Sequence, residues 1–525
     1  DGAGISGNPW QVSTEADLRK VGVGDCLLAG FYLQDADITL NSPWTPVSED
    51  GFTGRYDGAN YSITGLQVDG LASSNQGMFR SVSGTVTRVN LVGASVSNNN
   101  GVSGTLVGFL SAAGEVSYSH ASGSVSGPGN LGGLVGVNSG SISHSSADVN
   151  VSGDDFSVGG LVGQNNGGTV THSHATGSVT SNGTWGQRVG GLVGYSDSAG
   201  VTGGGAISSS YATGAVTGTR EVGGLVGLLR SAKVEKSYSS SVVVATGTPG
   251  GTAGGLVGLM DDDPEEDFFS IATVEYSYAS GSVTSSGRFV GGLVGESVGS
   301  DVFASYSSGA VVGSDYVGGL AGYFTEGQIV QAYSVGRVRA TASDATDFGG
   351  FLGYNDGAVL IANFWDAETS GFATSLYQAP TQLEGLSSQV MKTIAPYTAE
   401  ALVEGAWGIV AANQFSAPLN NVSPQPSPLV KPDGTLLEET WGIGPSVNSG
   451  YPFLWWQTGN AITISSGAST GSSATTTAIT GTLAATGPSE SLSLGGGPLA
   501  ALLLLLGVGI LVARTGFFAL GRRKR

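Results

Sequence analysis

The chain has 525 residues, 89 of them glycine, with 40% hydrophobic and only 11% charged residues. So much glycine is usual in fibrous repeats or disordered chains, but the supply of Val, Leu and Ile leaves apolar surface to bury, which excludes disorder for most of the length. The net charge of −20 excludes a nucleic-acid partner, because such a body repels polyanions, and the lone Cys26 excludes an intrachain disulfide framework.

Residues 1–72 precede any repeat and form an N-terminal lead-in. The chain opens at Asp1 with a small polar run, which reads as a mature N-terminus from which a leader has gone. The near-absence of Cys suits an exported protein of a Gram-positive bacterium.

From residue 73 to 364 one pentapeptide dominates. Gly-Gly-Leu-Val-Gly occurs at Gly132–Gly136, Gly159–Gly163, Gly190–Gly194, Gly223–Gly227, Gly254–Gly258 and Gly291–Gly295, with variants at Gly104–Gly108, Gly318–Gly322 and Gly349–Gly353. The spacing of 27 to 37 residues, with one further unit at Gly77-Met78-Phe79, gives about ten units and signals a solenoid. Each unit has an aliphatic column (Val116, Ile142, Val170, Ile207, Val234, Val274, Val302, Ile329, Leu360) and a valine column (Val125, Val151, Val179, Val216, Val243, Val283, Val311, Val338). β-Branched residues alternating with Ser, Thr and Gly predict short strands. No unit can bury its apolar face alone, so units must stack into an all-β parallel β-solenoid, a rod on the order of 50 Å at 4.8 Å per coil. Glycine supplies positive φ and close backbone approach at the corners, and the Leu or Phe that follows fills the interior.

An aromatic column (His120, Ser146, His174, Tyr211, Tyr238, Tyr278, Tyr306, Tyr333, Phe364) lies between the aliphatic and valine columns. Strand alternation places Tyr211, Tyr238, Tyr278, Tyr306 and Tyr333 on the outward side, beside Thr213, Ser240, Ser280 and Ser308. A kink at the intervening glycine would reverse that. Stacked tyrosines serve architecture; an amphipathic strip also offers a ligand face for a glycan or a protein. His144 and His172 share a column two residues earlier, close enough in adjacent coils to approach a metal, yet without a carboxylate or Cys partner. No metal or cofactor is expected. The acidic run Asp261, Asp262, Asp263, Glu265, Glu266 and Asp267 lies in the longest unit; it reads as a solvated insertion, with a weak Ca²⁺ site as the alternative.

Segment 365–460 leaves the period and carries Trp365, Trp407, Trp441, Trp455 and Trp456, read as a cap over an open solenoid end. Residues 461–482 are Ser, Thr, Gly and Ala with Ile and no charge, a linker. Residues 483–525 hold Leu-Ala-Ala-Thr-Gly, an apolar run from Pro498 to Ala513 that reads as one transmembrane helix, and a Gly-Arg-Arg-Lys-Arg terminus that stays in the cytoplasm.

Gly-Gly-Leu-Val-Gly followed by Ser-Tyr-Ala-Thr/Ser-Gly-x-Val resembles the GLUG-motif repeat of bacterial surface proteins, and the flanks from residue 7 to 457 agree with it. The resemblance implies a β-solenoid and secretion, with no single activity attached. The tail resembles a sortase sorting signal, in which a transpeptidase cuts between Thr and Gly and joins the Thr to peptidoglycan. Carried over, the recognised residues are Leu483, Ala484, Ala485, Thr486 and Gly487. Ala484 stands where the common signal has Pro, as in a variant read by a sortase class of high-GC Gram-positive bacteria.

The function expected is therefore adhesion or ligand display at the cell surface, covalently attached to the wall. Its partners are sortase, peptidoglycan and a glycan or protein ligand, and it meets the membrane only through the tail before processing. A passive stalk is the alternative. A polysaccharide lyase or peptidase is a third class, disfavoured because no His-Glu-x-x-His and no cluster of catalytic carboxylates stands in the repeats.

Overall fold

Short β-branched segments pair in parallel with their equivalents one repeat later, so the chain winds as a β-solenoid. The computed structural model describes residues 2–47, 51–69, 75–99, 101–154, 156–183, 187–247, 251–262, 271–341, 347–373, 383–393, 395–397, 407, 409–411, 441–443 and 448–458. The chain divides into compact units Asp1–Ser465 and Ser466–Arg525. The second unit, with the sorting signal and the apolar run, lies outside the described residues, as does the acidic run from Asp263 onward. Among the described residues no helix is long and apolar enough to cross a membrane.

One coil shows the plan. A first wall (Glu221–Gly223) passes through Gly224 and Leu225 into a second (Val226–Arg230). A third follows (Lys233–Glu235), then a fourth made of two strands, Tyr238–Ser239 and Val243–Ala245. The first and second walls have ten strands each and the third has thirteen. The additional strands come from the lead-in, where Trp10–Val12, Phe31–Gln34 and Arg55–Asp57 continue the third wall. Ile38–Thr39, Ser62–Thr64 and Gln67–Asp69 continue the fourth. The lead-in thus winds as solenoid even though it lacks the pentapeptide.

Like stacks on like throughout the interior. Val216 pairs with Val243 and Val243 with Val283, all fully buried. The Leu after the glycine pair (Leu225, Leu256, Leu293) is likewise buried. The pentapeptide glycines are needed for approach, not for a left-handed turn: Gly254, Gly255 and Gly258 all lack positive φ. A Cβ on Gly254 would strike the Val257 carbonyl oxygen, and one on Gly258 would lie 2.6 Å from that of Gly227. A Cβ on Gly255 would strike the Gly292 carbonyl oxygen and sit 2.9 Å from the Ala279 methyl. Ala279 is the small residue after Tyr278, and the same pinch joins Gly160 to Ala175 and Gly191 to Ala212. The corner and the fourth wall therefore touch through the interior, Gly opposite Ala in these coils, with Thr105 at the same glycine position of an earlier one. The expectation of positive φ at these glycines is corrected accordingly.

At the far end this small-residue column finishes on Trp365. Its indole is buried, donates Nε1–H to the Phe372 carbonyl at 2.9 Å, and fills the space above Gly350 and Gly385. Leu383–Leu386 adds one more parallel strand onto Asn363–Asp366.

Two substitutions test this core. Val243→Asp places an unpaired charge in the valine column and should lower the melting temperature sharply, by several kcal/mol of stability. Gly255→Ala overfills the pinch and should cost about 1–3 kcal/mol. An unchanged melt for either variant would remove that column from the core.

Candidate functional site

The fourth wall keeps its alternation across the kinked glycine. His174 and Thr176 face outward while Ala175 and Val179 are fully buried. The kink leaves the aromatic column on the outer surface. Its rings lie parallel, one per coil: His174 to Tyr211 4.6 Å, Tyr211 to Tyr238 4.8 Å, Tyr238 to Tyr278 4.9 Å, Tyr278 to Tyr306 5.0 Å and Tyr306 to Tyr333 4.8 Å, with interplanar angles of 2–9°. Strand spacing sets these distances. Each pair adds roughly 0.5–1.5 kcal/mol beyond its buried area. Because the faces turn toward one another along the rod, ring edges and phenol hydroxyls meet the surroundings.

The five tyrosines differ in access. Tyr211, Tyr238 and Tyr278 are partly exposed, whereas Tyr306 and Tyr333 are buried at 2% and 0% exposure. The Trp-rich segment lies over the latter two. Trp441 stands 6.2 Å from Tyr306 and 5.7 Å from Tyr333; Trp407 stands 6.1 Å from Tyr333; Trp456 lies against Tyr238 and Tyr278 at 6.3 and 5.7 Å. Gln457 donates to the Tyr306 hydroxyl at 2.6 Å, Asn448 donates to that of Tyr333 at 2.7 Å, and Tyr333 donates to the Pro452 carbonyl. Of the five tyrosines expected to form a ligand face, the chain itself covers Tyr306 and Tyr333, which leaves Tyr211, Tyr238 and Tyr278 partly exposed.

Burial raises the phenol pKa values. That of Tyr238 is pushed up to about 12, chiefly by desolvation and then by Tyr278 and Tyr211 beside it. Tyr278, Tyr306 and Tyr333 are raised for the same first reason. His174 is shifted down, by burial and then by His120, so it favours the neutral form.

The corner before this column was not foreseen. Tyr118, His144, His172, Ser209, Lys236, Tyr276, Ala304, Gln331 and Ala362 all have φ between 40 and 55°. Non-glycine residues pay for that conformation, on the order of 1 kcal/mol each, and a serine column next to them compensates. Each of Ser145, Ser173, Ser210, Ser237, Ser277 and Ser305 accepts the backbone N–H of the serine one coil earlier at 3.1 Å. Each hydroxyl also donates to the carbonyl two residues before it, at 2.7–2.9 Å. The column closes on Asn363, whose Oδ1 accepts from Ala332 N–H at 2.9 Å. The signal in the sequence was the serine directly before the column position in the coils from Ser119 to Ser305.

His144 and His172 do meet, with ring centroids 4.8 Å apart and planes 1° from parallel, and Tyr118 stacks on His144 at 4.7 Å. Parallel imidazoles direct their nitrogen lone pairs side by side, not toward a common point. Among the described residues no group of three or more His, Cys, Asp or Glu is placed to hold a metal.

The GLUG-motif family model matches residues 127–152 and 154–180. The class the coils define is a parallel β-solenoid, and two of its adjacent coils carry the matched GLUG motif. Halomucin of Haloquadratum walsbyi is 34% identical over 150 residues, which is 26% of this chain and 2% of halomucin's own length. A solved structure from Bacteroides ovatus, reported as a candidate immunoglobulin A1 protease, is 17% identical with a TM-score of 0.34, covering 68% of this chain and 86% of that one.

Two measurements test the site. Ser237→Ala leaves the buried Ser210 N–H without its acceptor and should cost about 1–3 kcal/mol in urea unfolding; no change would make the serine column incidental. The folded chain keeps the Tyr238 proton where the unfolded chain loses it, so this stability is complete below pH 10 and is lost as pH rises toward about 12. The melting temperature should fall across that window, and less steeply in Tyr238→Phe.

Proposed function

We propose that the chain is a wall-anchored surface rod of a Gram-positive bacterium, working in adhesion through the solvent-facing part of its aromatic strip. The observation that carries the reading is the run of His174, Tyr211 and Tyr238 beside the exposed Thr176, Thr213 and Ser240, an amphipathic band on a rigid wall. The GLUG repeats and the acidic composition support an exported protein. Leu483, Ala484, Ala485, Thr486 and Gly487, followed by an apolar run and a basic end, support covalent attachment to peptidoglycan by a sortase, with residues 498–513 spanning the membrane beforehand. In this reading Trp365 and the strand Leu383–Leu386 close the end of the rod, while Trp407, Trp441 and Trp456, expected in the same cap, cover the flank of the aromatic strip instead. The chain performs no chemistry of its own. Some of its charged side chains are paired along the coils, Lys233 with Glu235 and Glu275, Arg230 with Asp261, and Arg188 with Glu221.

A passive stalk is the second reading, favoured by the near-parallel rings, which account for the tyrosines by stacking alone. Replacing Tyr211 and Tyr238 together with Ser separates the two. Attachment of cells or of the isolated rod to glycan- and protein-coated surfaces should fall while the melting temperature moves little. Intact attachment with a lowered melt would leave the stalk. For anchoring, the parent should be released by muramidase and Thr486→Ala by detergent; detergent release of the parent would refute the covalent link.

A further inference from the structure

Two indoles of the chain are seated on the aromatic column in the same way. Trp456 spans Tyr238 and Tyr278 and donates Nε1–H to the Tyr276 carbonyl at 2.8 Å. Trp407 spans Tyr333 and Phe364, at 6.1 and 5.6 Å, and donates Nε1–H to the Ala362 carbonyl at 2.9 Å. Tyr276 and Ala362 are the same corner position in different coils, with φ of 50 and 54°. The left-handed conformation aims the corner carbonyl where an indole on the rings can reach it. One coil step thus offers a step between two ring edges and one acceptor oxygen. Trp441 occupies such a step across Tyr306 and Tyr333 on ring contact alone, since its Nε1 has no hydrogen-bond partner.

The strip continues past Trp456 with unchanged geometry. Tyr211 and Tyr238 are 4.8 Å apart and His174 and Tyr211 4.6 Å apart, and the corners Lys236 and Ser209 have φ of 47 and 49°. All three rings are partly exposed. We propose that His174, Tyr211 and Tyr238 form a docking groove for an extended, tryptophan-bearing segment of another protein. Each indole bridges two rings and donates its N–H to the Ser209 or Lys236 carbonyl. Continuity with the seats of Trp456 and Trp407 selects this occupant, and the chain's own Tyr451–Gln457 stretch supplies its chemistry. A sugar ring, which stacks on aromatic faces, finds those faces turned toward neighbouring rings. The proposal rests on the adhesive reading of the same strip and names its partner class.

The probe is a fluorescent peptide of residues 451–457 (Tyr-Pro-Phe-Leu-Trp-Trp-Gln), titrated into the full chain by anisotropy. Saturable binding is expected, about tenfold weaker with Tyr211→Ser and with both peptide tryptophans replaced by Leu, and retained with Tyr211→Phe. In the unaltered chain the peptide should slow amide exchange at Ser209–Ala212 and Lys236–Ser239. No binding, equal binding of the Leu peptide, or protection confined to Tyr276–Tyr278, where the peptide would merely replace Trp456, overturns the proposal. So does protection of those amides by a glycan alone, or by dimerisation of the chain without peptide. If Tyr211 and Tyr238 are needed for attachment yet the peptide does not bind, the adhesive reading stands and the tryptophan segment falls.

Discussion

Everything in this rod depends on parallel stacking at the strand spacing, which sets each residue directly over its equivalent in the next coil. A column is therefore tested against itself. Valine over valine buries apolar surface at every step, and phenol over phenol finds a neighbour at 4.8–5.0 Å. Like charges repel in such a column; on the second wall Asp197, Arg230 and Asp261 alternate in sign, and where Glu235 lies over Glu275 on the third wall Lys233 pairs with both carboxylates. The low charge content and the repeated spelling of one pentapeptide have the same cause.

Within that constraint the cross-section is narrowed at one place. The second glycine of the pentapeptide faces the Ala or Ser after the aromatic residue in most coils, and a Cβ on that glycine would strike the carbonyl of its equivalent one coil later, as Gly255 would strike Gly292. Ser307 and Ser334, which face Gly292 and Gly319, donate their hydroxyls at 2.6 Å to the carbonyls of the equivalent glycines one coil later, Gly319 and Gly350. Pentapeptide and aromatic motif are thus two halves of one contact. That contact holds the tyrosine-bearing wall in place and lets the rings stack at constant height.

The corner between the third and fourth walls uses a different device. Its residues, among them Lys, His, Tyr, Ser, Ala and Gln, have no common chemistry, yet all adopt the left-handed conformation. The buried serine beside them satisfies the backbone N–H groups of the turn, which leaves the corner side chain open to change. The same turn exposes a carbonyl that indoles of the chain reach. Stability of the winding and the seating of the chain's own indoles thus arise from one backbone geometry.

Periodicity alone determined the solenoid and its valine and leucine interior, because stacking forces each column to be uniform and uniform columns are visible in a single chain; it counted about ten units where the third wall has thirteen strands. The lead-in was not legible as solenoid, since Trp10–Val12, Phe31–Gln34 and Arg55–Asp57 share a wall without sharing the motif. The left-handed corner was also hidden, because a backbone conformation enforced by neighbours leaves no residue preference behind it. Only the tertiary structure decided which tyrosines remain accessible. Trp407, Trp441 and Trp456 are separated from Tyr333, Tyr306 and Tyr278 by many residues of aperiodic chain, and a contact between a repeat and a non-repeat has no counterpart elsewhere in the sequence from which it could be read.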